Sequence, residues 1–89
     1  MHVAFVIQMA RGTDRESLLS EETKRETQAV VMSLEDAAQM GFSASGVEAL
    51  PGQEVAIIVV AKRDAPWVHR AIESSPVVSG FKQADVNID

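Results

Sequence analysis

The chain has no cysteine and no tyrosine, and its aromatic rings are limited to one tryptophan and three phenylalanines. Without thiols there is no disulfide framework, no thiolate metal site and no cysteine nucleophile, which suits a reducing cytoplasm. Scarce aromatics and an acid excess weigh against RNA binding on a sheet, which needs stacking rings flanked by lysine and arginine. Thirteen acidic against eight basic side chains give a net charge of −5. No general affinity for nucleic acid or anionic membrane is expected of such a surface. No apolar run approaches the ~20 residues of a membrane span. The longest, Val55 to Ala61, has the length of a strand. The first residues lack the basic start of a secretory signal and read as mature structure. The expectation is one soluble, cytoplasmic domain over residues 1–89 with no cofactor.

What is present alternates. Val3, Phe5, Ile7 and Met9 interleave with His2, Ala4, Val6 and Gln8, the period of two of a strand, and both registers are largely apolar. Gly12 marks a loop over residues 10–14, and Thr13 to Glu16 has capping-box spacing for a short helical turn. Ser20 followed by Glu21 and Glu22 predicts a helix start. Thr23, Thr27, Val30, Val31, Leu34, Ala37 and Ala38 continue it as one stripe to Met40, with Gly41 as its C-cap.

Phe42 to Leu50 reads as a weaker strand with Gly46 as a possible bulge site. Leu50-Pro51-Gly52-Gln53 is a turn into a second apolar strand, Glu54 to Arg63, so these two should form a hairpin. Asp64 and Pro66 open a helix over residues 65–73, and Ser74-Ser75-Pro76 stops it. After a connection over residues 77–80, Ala84, Val86 and Ile88 alternate with Gln83, Asp85, Asn87 and Asp89 as a half-exposed final strand.

The order β-α-β-β-α-β predicts an α+β, ferredoxin-like sandwich: a four-stranded antiparallel sheet, first and third strands central, two helices on one face. This arrangement is similar to small dimeric α+β-barrel proteins and ligand-binding regulatory modules. The similarity is of architecture alone, and no motif identifies a family. Two helices on one face would leave the other bare. Either Ala56, Ile58 and Val60 or their odd-numbered neighbours would then lie in water beside Ala4 and Val6, an apolar surface suited to a homodimer contact.

Candidate ligand-facing residues are few. His2 and His69 lack the spacing of a metal site. Asp85 to Asp89 imitates the opening of a calcium loop without its glycine and closing glutamate. Trp67 offers an amphipathic indole near a loop, and Arg11 sits in the first strand-to-helix loop beside Gly12. No Gly-x-Ser-x-Gly elbow surrounds a serine, and no catalytic set is visible. The expected function is therefore a non-enzymatic, self-associating module that binds a small apolar ligand or a protein partner. The alternatives are a cofactor-free dimeric α+β-barrel enzyme acting on a small organic molecule, or an acidic protein-interaction module. An imidazole with a carboxylate orienter in a pocket would favour the enzyme.

Overall fold

A computed structural model describes residues 1–42 and 47–86, with the backbone alone for 85 and 86. Strand β1 (His2–Ala10) is followed by a 3-10 turn (Arg15–Leu18), helix α1 (Glu21–Thr27) and strand β2 (Val30–Ser33). Helix α2 (Leu34–Gln39), strand β3 (Gln53–Ala61), a second 3-10 turn (Lys62–Asp64), helix α3 (Ala65–Glu73) and strand β4 (Val78–Val86) complete the described chain. The sheet is antiparallel in the order β2-β3-β1-β4, so the two strands that are apolar in both registers are the central ones. Among the described residues no helix is long and apolar enough to cross a membrane.

The single helix expected from Ser20 to Met40 is instead α1, β2 and α2. Ser20 does cap α1, its hydroxyl accepting from the Thr23 amide at 3.1 Å. Gln28, at φ +56°, ends the helix in the left-handed region. The adjacent β-branched residues Val30 and Val31 then extend as β2, the conformation such side chains favour. A second cap, Ser33 accepting from the Asp36 amide at 3.0 Å, starts α2. Gly41 closes that helix as expected. Its amide reaches the Ala38 carbonyl at 3.1 Å, and the Phe42 amide reaches Ala37 at 2.9 Å, both Schellman-type bonds.

The second strand of the sheet is thus residues 30–33, and among residues 42 and 47–50 of the expected Phe42–Leu50 strand none is extended into the sheet. Gly46 lies outside the described residues. The Pro51-Gly52 turn forms, with the Gln53 amide donating to the Leu50 carbonyl at 2.9 Å and Gly52 at φ +75°. It joins β3 to an irregular segment rather than to a hairpin partner. Capping of the short turn falls to Asp14, whose carboxylate accepts from the Glu16 amide at 3.0 Å. Asp64 sits at the start of α3 without a capping bond: residues 62–64 are already wound, so it lacks the extended backbone a cap requires. The final strand begins at Val78 and so takes in most of the expected connection; Asn87, Ile88 and Asp89 lie outside the described residues.

Directly opposed residues of paired strands share a face. The first face carries Val3, Phe5, Ile7 and Met9 of β1 with Ala56, Ile58 and Val60 of β3. These pack against Ala65, Val68 and Ile72 of α3 and against Leu18 and Leu19 ahead of α1. The second face carries Ala4 and Val6 opposite Val59 and Ile57, with Met32 from β2. Ala37 of α2 is buried in that second cluster. The helices therefore do not share one face: α3 covers the first and the six-residue α2 part of the second.

Candidate functional site

The second face is built from the even residues of β1 and the odd residues of β3. Ala4, Met32, Ala37 and Ile57 form its buried centre, and Val6, Leu34, Phe42, Val55 and Val59 pack around them. A helix of two turns cannot span four strands spaced at ~4.8 Å, so among the described residues apolar surface remains on either side of it.

One flank is a groove of about 480 Å³, with Val30, Met32, Val59 and Met40 among its walls and His2, Glu26 and Arg63 also lining it. Val30 is 50% exposed and Met40 72%. The other flank is a hollow of about 360 Å³ between Val6, Gln8, Leu50 and Lys82. Its wall is tied down by one side chain: the Gln8 amide donates to the Glu48 carbonyl at 2.8 Å and accepts from the Leu50 amide at 3.2 Å. This clasp satisfies two backbone groups that have no strand neighbour.

The five residues expected at a dimer contact fall on both faces. Ala4 and Val6 lie on the second, Ala4 already buried beneath α2 and Val6 partly buried. Ala56, Ile58 and Val60 are at most 1% exposed and belong to the core under α3. The register thus chooses the odd-numbered alternative, Val55, Ile57 and Val59, as the neighbours of Ala4 and Val6. Val30, Met32 and Met40 join the same surface unanticipated. The pair Val30-Val31 was the available signal, since adjacent residues of a strand point to opposite faces.

The ligand candidates are dispersed. His2 lines the second-face groove at the start of β1, whereas Arg11 follows the other end of that strand, ~30 Å away at ~3.4 Å per residue. Arg11 is exposed, and its backbone amide donates to the Gly52 carbonyl at 3.1 Å, joining two loops. Trp67 is 42% exposed on α3. It is two positions from His69, about 200° around the helix, so the two rings lie on opposite flanks.

His69 is the best-organised of the four. Its ring meets Phe81 edge-on with centroids 5.0 Å apart and Phe5 at 6.3 Å, and its Nδ1 lies 3.5 Å from a Glu73 carboxylate oxygen. Beside it opens a shallow depression of about 600 Å³, shared with Lys62, Arg70 and Gln83. Among the described residues no group of three histidine or carboxylate side chains converges as a metal site. The calcium-like run lies largely outside them.

The chain matches no known protein family and no curated protein. Its function must therefore be read from these surfaces.

One titration is displaced elsewhere. The Lys24 ammonium is held above the ordinary lysine range, first by its hydrogen bond to Glu21 and then by that to Glu16. The distances are 2.8 and 3.1 Å, and the pair fastens the 3-10 turn to α1.

Proposed function

We propose that this chain is a non-enzymatic, self-associating binding module, and that a second copy docks on the second face of its sheet. We read the β2-β3-β1-β4 order as ferredoxin-like, with α2 inserted where β2 would otherwise turn directly into β3. One observation carries the functional reading: the central strands are apolar on both faces, yet among the described residues the second face has only α2 and the 47–50 segment over it. Val30 and Met40 stand half-exposed or more beside it, and Val59 links them to the buried centre. An apolar surface of this kind normally finds a partner, because each fully buried aliphatic side chain is worth ~1.5–3 kcal/mol. A cytoplasmic setting accords with a cysteine-free chain.

The test is mass in solution. Sedimentation at micromolar concentration is expected to give twice the chain mass of 9.6 kDa. Val30→Asp, at a half-exposed edge position, should keep the fold by circular dichroism and shift the mass to that of one chain, since a contact would desolvate the new charge. A wild-type protein that stays monomeric overturns the proposal, as does a Val30→Asp variant that stays dimeric.

The second reading, an enzyme, has the His69–Glu73 contact in its favour: an imidazole with a carboxylate at Nδ1 is the arrangement of an oriented base. Against it, the pair has ordinary i,i+4 helix spacing in an open depression, and no serine or threonine is among that depression's lining residues.

A further inference from the structure

We infer that the depression between α3 and β4 is a binding site for a small multivalent oxyanion, of the phosphate-ester or pyrophosphate class. Four side chains around it carry chemistry: the Lys62 ammonium and the Arg70 guanidinium donate, as do the Gln83 amide NH₂ and, when protonated, the His69 imidazole. Among the described residues no carboxylate lines it. In a chain with thirteen acids to eight bases, a concavity whose described charged lining is a lysine and an arginine is not the average surface.

The cations are also uncommitted. Among the described residues neither Lys62 nor Arg70 makes an ion pair, and the Lys62 ammonium meets only the Met1 thioether, a weak acceptor, at 3.8 Å. His69 is the oriented member: its ring rests on Phe81 and Phe5, and its Nδ1 lies 3.5 Å from a Glu73 carboxylate oxygen, so Nε2 is the nitrogen left for an anion, to which it donates in the imidazolium form. Past the depression, Lys62 also borders a hollow lined by His2 and by Arg63, whose guanidinium lies 3.6 Å from the Asp64 carboxylate. Both histidines and three of the eight basic side chains thus gather at the end of the sheet where β1 starts and β3 stops. A guanidinium and an ammonium together suit an oxyanion with several oxygens, the first as a planar fork and the second as a point charge. The small patch and the overall negative charge favour a compact anion over a long nucleic acid, which the acidic remainder of the surface repels.

This site lies on the face opposite the proposed docking surface, so the two readings stand or fall separately. The probe is inorganic pyrophosphate, added to the full chain at constant ionic strength while backbone amide resonances are followed. Saturable shifts at Lys62, His69, Arg70 and Gln83 with a millimolar dissociation constant are expected. Arg70→Gln and Lys62→Gln should each weaken binding by about tenfold, the scale of one charge-assisted contact. Arg15→Gln, in the 3-10 turn that follows the other end of β1 and outside the depression's lining, should leave binding unaltered. Shifts that never saturate, that sodium chloride reproduces, or that Arg15→Gln weakens as much as Arg70→Gln would overturn the inference. Lys62 and Arg70 are exposed and Arg15 is half-buried, so each variant is expected to stay folded, and far-ultraviolet circular dichroism verifies it.

Discussion

Ile57 and Ile58 are neighbours in β3, both fully buried, yet they belong to different clusters. Replacing each with alanine measures what each face of the sheet contributes. Ile→Ala removes roughly three CH₂ equivalents at ~0.8 kcal/mol each, about 2.4 kcal/mol of transfer free energy. To this is added a cavity term of ~24 cal/mol per Å³ that the surroundings fail to fill. Around Ile58 the walls are Phe5, Val68 and Ile72, set on the other central strand and a nine-residue helix, and they have little room to settle. The expected total there is ~3.5–4.5 kcal/mol. Around Ile57 the wall is α2, six residues held by Ala37 and Leu34, which can move inward, so ~2.5–3 kcal/mol is expected. A domain of this size holds roughly 5–13 kcal/mol, so both variants remain folded in water. Urea denaturation followed by circular dichroism reads the difference directly, provided the slopes with denaturant match the wild type. A cost below ~1 kcal/mol for Ile57→Ala would refute the packing of α2 on the second face. The same placement changes what aspartate does at these sites. Ile58→Asp and Ile57→Asp should both unfold the chain, because each strands a charge inside one protomer rather than between two.

Two further outcomes follow from local geometry. Gln28→Gly should raise stability by about 0.5–1 kcal/mol, because a residue with a Cβ is strained at φ +56° and glycine is not; an unchanged or lowered urea midpoint would contradict this. The Lys24 ammonium titrates above its ordinary value of 10.5 in the folded state, so its stabilisation is complete at neutral pH and is lost as pH rises through that raised value. The difference in urea midpoint between wild type and Lys24→Gln should therefore shrink in strong alkali, and parallel curves would refute the assignment.

The central strands, α3, the Ser20 cap, the Gly41 stop and the Pro51-Gly52 turn were all legible in the chain, because each rests on a local rule. The region between Thr27 and Leu50 was not. Thr27, Val30, Val31 and Leu34 happen to fit helical spacing, but Val30 and Val31 serve opposite faces of a strand, and that choice is made by β3 alongside. Local signals did exist: Ser33 with Asp36 three residues on has the spacing of a second helix start. The pairing of donors around His69 was illegible for another reason. Lys62, His69 and Arg70 are close in sequence, but Gln83 reaches them only because β4 lies beside β1.

The place of β1 between β3 and β4 also governs how the chain reaches this state. His2 must find both Ala61 and Val86, and Gln8 both Val55 and Gly80, so almost every contact of the most buried strand joins distant segments. Closing such long loops is slow, and little of β1 is rewarded by local contacts in the meantime. Until then a nine-residue strand with apolar side chains on both sides stays unsheltered, the sort of segment that pairs with a neighbouring molecule instead. Refolding yield should thus fall with protein concentration more steeply than the stability of the finished domain would suggest.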